Sequence, residues 1–160
     1  MATPFRVNVL GSERIVIRLA GSISESAEVG HIRVPQDLPI EFDLVGVTGI
    51  NSMGIRMFRE WMTTFSNASI EFSYCPKFFI DQINMVTDLI PVHAKILSLY
   101  VPYYSEPTGE EQFVLLTRGK EFDVVDGEVR VEWPALEDSK GNSMEVDVTP
   151  ERFLACLKRH

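Results

Sequence analysis

The segment from Pro39 to Phe65 constrains the fold of this chain more than any other. Within Pro-Ile-Glu-Phe-Asp-Leu-Val-Gly-Val, the residues Ile40, Phe42, Leu44, Val45 and Val47 leave little polar surface. That pattern predicts a strand buried on both faces near the middle of a sheet. After Thr48-Gly49-Ile50-Asn51 the apolar period changes. From Ser52 to Phe65, Ile55, Phe58, Met62 and Phe65 fall on one side, with Arg56, Arg59, Glu60 and Thr63 opposite, the signature of an amphipathic helix. A central strand passing through a glycine-bearing loop into such a helix is the seed of an α/β layer packing.

The flanking segments extend that layer. Phe5, Val7 and Val9 alternate with Arg6 and Asn8, and Ile15, Ile17 and Leu19 alternate with Arg14, Val16 and Arg18, so the opening reads as a hairpin turning at Gly11-Ser12-Glu13. No strong helical period appears between these strands and Pro39. Ser-Ile-Glu-Phe-Ser-Tyr at 69–74 predicts a further strand. A second helix follows Pro76, with Phe79, Ile83, Val86 and Ile90 at helical spacing and Pro91 as its end. Ala-Lys-Ile-Leu-Ser-Leu-Tyr-Val-Pro-Tyr-Tyr returns to strand composition, so residues 1–103 read β-β-β-α-β-α-β. Beyond Tyr104 the chain changes to charged hairpins, with Asp126-Gly127 a strong two-residue turn signal. Thr149-Pro150 then opens a short closing helix that buries Phe153 and Leu157.

Charge separates the same two parts. Residues 1–100 hold 8 Lys and Arg against 10 Asp and Glu, whereas residues 101–160 hold 7 against 13, a net of −6 within a total of −8. Such a surface repels phosphate backbones and anionic lipid, which favours a basic or mixed-charge protein partner over nucleic acid or membrane. No run of eighteen apolar residues is present, and Met-Ala-Thr-Pro-Phe-Arg-Val-Asn-Val lacks the marks of a signal peptide, so the expected location is the cytoplasm. Cys75 and Cys156 lie far apart in sequence and in apolar company; they read as small buried hydrophobes.

No convergent catalytic set is legible, and the chain is expected to be neither an enzyme nor a cofactor carrier. His31, His93 and His160 are isolated, and GxGxxG, GxxxxGK and GxSxG are all absent. The sharpest local feature is the first turn of the predicted helix at Asn51, Ser52, Met53 and Gly54, where backbone N–H groups face outward. Asn51 or Ser52 can serve there as a helix cap. A nucleotide-like phosphate or similar anion can also be held there.

The same residues carry a family likeness. Asp43-Leu44 in the strand and Asn51-Ser52-Met53-Gly54 at the helix start resemble the regulatory site of the STAS domain, the fold of bacterial anti-sigma-factor antagonists, in which the second motif is Asp-Ser-x-Gly. The resemblance covers roughly residues 5–103, and Asn51 stands where the pattern has Asp. It implies an α/β, STAS-like mixed sheet with helices on one face over residues 1–103. It also implies a non-enzymatic regulatory protein-interaction function, with Ser52 as the phosphorylated switch and an anti-sigma-factor or kinase-like regulator as partner.

Gly-Ser-Ile-Ser-Glu-Ser-Ala-Glu, Cys-Pro-Lys-Phe-Phe-Ile-Asp-Gln-Ile-Asn-Met-Val and Val-Pro-Tyr-Tyr-Ser-Glu-Pro-Thr-Gly-Glu-Glu are similar, more narrowly, to an uncharacterised group of bacterial STAS-like proteins with a zinc-ribbon-like tail. The metal-binding pairs of that tail fall here on Ser105 and Thr108, and on Glu137 and Lys140, none of which binds zinc as a thiolate does. Residues 104–160 are therefore expected to form a degenerate, metal-free β-hairpin appendage with a terminal helix, held by Phe113, Leu115, Trp133 and Phe153.

At 100° per residue, Met53 and Met57 lie between the core side of the predicted helix and its polar side, with Trp61 beside them. Flexible Met and flat Trp side chains suit protein interfaces. The expected partner-docking set is therefore Asn51, Ser52, Met53, Gly54, Met57 and Trp61. A small-anion site at Asn51–Gly54 is the alternative.

Overall fold

The structure, a computed structural model, describes residues 5–29 and 32–160; the start of the chain and His31, both read above, lie outside the described residues. Strands β1 (Arg6–Leu10) and β2 (Ile15–Ile23) form the expected antiparallel hairpin, with Val9 opposite Ile17. Its turn depends on Gly11, whose φ is 98° and where a Cβ would lie 2.0 Å from the Arg14 carbonyl oxygen. Strand β2 then runs parallel to β3 (Ile40–Ile50). Helix α1 (Ser52–Thr63) leads to β4 (Ile70–Ser73), and α2 (Lys77–Met85) to β5 (Lys95–Ile96), both strands parallel to the neighbours they join. The result is a mixed five-stranded sheet in the order β1-β2-β3-β4-β5.

Both helices pack on one face, through aromatic rings. Phe42 of β3 stacks on Phe72 of β4 at 5.0 Å and meets Trp61 and Phe65 edge-on, while Phe58 meets Phe79 of α2 at 5.5 Å. Each such pair contributes about 0.5–1.5 kcal/mol beyond the area it buries. The opposite face is polar, which corrects the reading of β3 as buried on both sides. Val45 is 60% exposed, and Glu41 and Glu71 both receive Arg14, at 3.1 and 2.9 Å. The strand is central in order, but only Ile40, Phe42, Leu44 and Val47 point into the core.

Three further differences have local causes. The core stripe of α1 is Gly54, Phe58, Trp61 and Met62, so it is rotated toward Trp61 and leaves Ile55 half-buried at its border. Helix α2 stops at Met85 because Val86 is extended (φ −115°, ψ 95°); Leu89 and Ile90 still enter the core, from a turn instead of a helix. The strand read across 94–104 is two strands. Leu97 donates its N–H to Phe72 at the end of the large sheet, and β6 (Ser98–Tyr104) then belongs to a second one.

Strand β6 pairs antiparallel with β7 (Glu111–Thr117). A separate hairpin joins β8 (Phe122–Val125) to β9 (Glu128–Val131) through Asp126 and Gly127, both at positive φ, 53° and 75°, as a tight two-residue turn requires. Strand β10 (Glu145–Val146) covers the other side of β6, and α3 (Pro150–Phe153) leads into a 3₁₀ turn over Ala155–Lys158. Leu99, Val101, Leu116, Phe122, Phe153 and Leu157 share one continuous apolar cluster with the five-stranded sheet. Cys75 and Cys156 are free thiols inside it, as their apolar neighbourhoods implied. Among the described residues no helix is long and apolar enough to cross a membrane.

Candidate functional site

Strand β3 delivers Asn51 in extended conformation (φ −106°, ψ 177°) to the edge of the helical layer. The side chain does two things there. Its Oδ1 accepts the Gly54 N–H at 2.7 Å, capping α1, and its Nδ2 donates to Glu25 Oε2 at 2.9 Å. That amide holds the Glu25 carboxyl below the usual carboxylate range. Of the two capping candidates, the helix therefore uses Asn51.

Ser52 is left over. As the first helical residue it is exposed, and its hydroxyl has no hydrogen-bond partner among the described residues. Gly54 is fixed by close packing instead of by a special φ, since a Cβ there would lie 2.0 Å from the Ile23 carbonyl oxygen. The start of α1 consequently sits directly on the end of β2, with Ser52 turned outward.

Around the exposed side of α1, Ser52, Ile55, Arg56, Arg59, Thr63 and Asp88 line a groove of about 540 Å³. Arg59 is bound to Asp88, and Arg56 approaches Glu60 at 3.5 Å. Met53, 52% exposed, borders this side, and Met57 is half-buried against the core. Trp61 is not on the surface. It is 4% exposed and packs edge-on against Phe42, Phe58 and Phe65, so its place in the docking set is withdrawn. The large indole, one turn after Phe58, takes the centre of the buried stripe that Ile55 was expected to share.

The structure also gathers residues that were not singled out. Arg56 and Arg59 follow Ser52 by four and seven positions, a helical spacing legible in sequence. Glu25 and Asp88 reach the site by tertiary contacts that no local pattern signals. His93 and His160 are elsewhere, each with one ring nitrogen at a backbone carbonyl, of Ala68 and Ala94 respectively.

In the appendage, the turn at 105–108 faces the turn at 138–142. Ser105 and Thr108 are joined to Asp138 at 2.6 and 2.9 Å, whereas Glu137, the residue assigned from sequence, bridges to Ser143 on the neighbouring segment. The same Asp138 carboxylate accepts the N–H groups of Lys140 and Asn142 at 2.9 and 2.8 Å. Phe113, counted among the residues holding this unit, is 61% exposed. Its fellow residues Trp133 and Leu115 are half-buried, and only Phe153 is enclosed.

Compared with known protein families, curated proteins and solved structures, the chain has no match.

Proposed function

We propose that this chain is a non-enzymatic, cytoplasmic regulatory module that binds a protein partner through the exposed side of α1, in the manner of the anti-sigma-factor antagonists it resembles. The observation that carries the reading is Ser52. It is an exposed serine with an unengaged hydroxyl at the first position of a helix, in a groove beside Arg56 and Arg59 and next to the exposed Met53. A mixed sheet with both long helices on one face supports a STAS-like arrangement.

A phosphate on Ser52 adds about −1.5 to −2 charges at this point. It would draw Arg56 and Arg59 toward itself and away from Glu60 and Asp88, remodelling the charge pattern that a partner meets. The small-anion alternative draws less support. Asn51 already takes the Gly54 N–H, which leaves a free anion one backbone donor fewer at the helix start.

Affinity capture from native cytoplasm tests the reading, with wild type, Ser52→Asp and Met53→Glu as baits of equal thermal stability. One protein held by wild type and lost at least tenfold from both variants is expected. Equal capture by all three baits removes this side of α1 from consideration. Binding of a nucleotide or inorganic phosphate that is lost in Asn51→Ala, without any protein partner, favours the anion reading.

A further inference from the structure

The outer strand of the second sheet presents unpaired backbone next to exposed aromatic surface. Strand β7 is the last in the order β10-β6-β7. Arg118 donates its N–H to Leu97 at 2.7 Å, and Ser105 donates to Glu110 at 2.9 Å. With the alternation of an antiparallel ladder, these two bonds make Gln112, Val114 and Leu116 the β7 residues whose main chain faces β6. The main chain of Glu111, Phe113, Leu115 and Thr117 therefore faces outward. Thr117 gives its N–H to Glu121 Oε2 at 2.8 Å, and the N–H and C=O groups of Phe113 and Leu115 meet no partner among the described residues.

Inward of this edge, over β6 and between Phe113 and the start of α2, lies an apolar hollow of about 320 Å³ lined by Pro76, Phe78, Tyr100, Phe113 and Lys77, whose ammonium is held by Asp81 at 2.7 Å. Phe113 is 61% exposed, on the same side of the sheet as Tyr100 and Leu115. The edge thus reads acid, apolar, apolar from Glu111 through Phe113 and Leu115, and closes at Thr117 on the Glu121 carboxylate, which Lys120 approaches at 3.6 Å.

We propose that the outer edge of β7 is a second docking surface, separate from α1, which takes an extended basic peptide segment as an added strand with one large apolar side chain laid against the exposed Phe113 ring. Main-chain bonds to Phe113 and Leu115 supply register, and the exposed Phe113 ring favours an apolar side chain opposite it. The exposed Glu111 carboxylate selects Lys or Arg beside it. Charge argues against a second copy of this chain as occupant. Antiparallel pairing of β7 with itself about Val114 sets Glu111 of each copy beside the carboxylate at Thr117 of the other, between chains that each carry −8.

The test is selection of a phage-displayed random dodecapeptide library on the immobilised full chain, followed by fluorescence anisotropy with the enriched peptides. Enriched sequences are expected to hold one aromatic or large aliphatic residue with Lys or Arg beside it. Their affinity should fall at least tenfold on Phe113→Asp and on Glu111→Lys, remain unchanged on Met53→Glu, and be lost when alternate peptide amides are N-methylated. Phe113→Ser serves if Phe113→Asp melts below wild type. No enrichment, equal binding by the Phe113 variants, or tolerance of N-methylation overturns the proposal. Enrichment of acidic peptides does so too, as does a concentration-dependent dimer of the chain that Phe113→Asp dissolves.

Discussion

Ser105 Oγ donates to Asp138 Oδ2 at 2.6 Å across the two facing turns of the appendage, and both residues are almost fully enclosed, Ser105 at 0% and Asp138 at 6% exposure. Thr108 Oγ1, Asn142 Nδ2 and the N–H groups of Lys140 and Asn142 converge on the same carboxylate. A single anion thereby joins segments some thirty residues apart. Removing the Ser105 hydroxyl leaves a buried acceptor short of a donor, so Ser105→Ala should cost about 1–3 kcal/mol in urea unfolding.

Acid should act on the same carboxylate. The Ser105 hydroxyl is the largest cause holding the Asp138 carboxyl far below its ordinary range, with the Asn142 and Thr108 donors adding to it and burial opposing. A folded-state pKa below the unfolded value contributes stability that is fully present above the ordinary carboxylate range, roughly pH 4, and is lost as pH falls below it. Asp138→Asn should lower Tm at pH 7 and flatten the fall of Tm between about pH 4 and 2. Circular-dichroism melts across that window check it; parallel curves for the two proteins would deny Asp138 this role.

At the other end of the chain, Gly54 and Asn51 share one hydrogen bond, so their substitutions should not add. Gly54→Ala drives a methyl against the Ile23 carbonyl, 2.0 Å from the ideal Cβ, and should cost about 1–3 kcal/mol or more. Asn51→Ala removes the cap and the tie to Glu25 and should cost about 1 kcal/mol. If the methyl of Gly54→Ala has already lifted the start of α1 away from β2, the cap is weakened before Asn51 is touched. The double variant should then fall short of the sum of the two. Strict additivity in chemical denaturation would show that the cap and the close packing act independently.

Trp61 is a core residue, and its substitutions should behave accordingly. Trp61→Ala and Phe58→Ala should each destabilise by about 3–5 kcal/mol, because both rings fill the layer between Phe42 and the helices. Trp61→Phe should keep most of that stability. A Trp61→Ala protein that melts within a degree or two of wild type would return the indole to the surface.

The helix phase shows where sequence stops being informative. The alternation in β2 and the Asp126-Gly127 turn are local facts, and the structure repeats them. Phe42 and Phe58 could be assigned to the core because burying a phenyl ring stabilises under almost any packing. Whether Ile55 or Trp61 completed the stripe depended on the contact of Gly54 with Ile23, a relation between segments some thirty residues apart. Val45 misled because an apolar residue on a strand reads as covered, whereas here it is 60% exposed and no layer of the described residues lies on that side. At the candidate site, Asn51, Ser52 and Gly54 were visible as a helix start, but Glu25 and Asp88 were not, since each arrives on a loop that carries no period. The tie from Asp138 to Ser105 was not legible either, because spacing counted along the chain does not register which side of a turn a side chain leaves.

Arg118 joins the five-stranded sheet, the end of β7 and the closing segment. Its Nε donates to the Ile96 carbonyl at 2.9 Å and its Nη2 to the His160 carbonyl at 2.8 Å, while the guanidinium lies 5.4 Å from the centre of the Phe122 ring. The His160 carbonyl also accepts the Ile96 N–H at 2.7 Å, so one guanidinium holds β5, the end of β7 and the final turn together. Burial lowers the guanidinium pKa, with Asp123 and Glu71 opposing that shift. Arg118→Ala should cost about 2–4 kcal/mol, since hydrogen bonds from a charged donor are each worth about 1.5–3 kcal/mol. It should also accelerate hydrogen exchange at Ile96 and across residues 155–160, with little change in β2 and β3. Arg118→Lys should recover less than half of the loss, because an ammonium cannot span both carbonyls in the plane of a fork or lie flat on Phe122. Urea unfolding gives the first quantity and exchange mass spectrometry the second. Unfolding within about 0.5 kcal/mol of wild type, together with unchanged exchange at Ile96, would mean that the shared apolar core alone joins the sheets and that Arg118 is incidental.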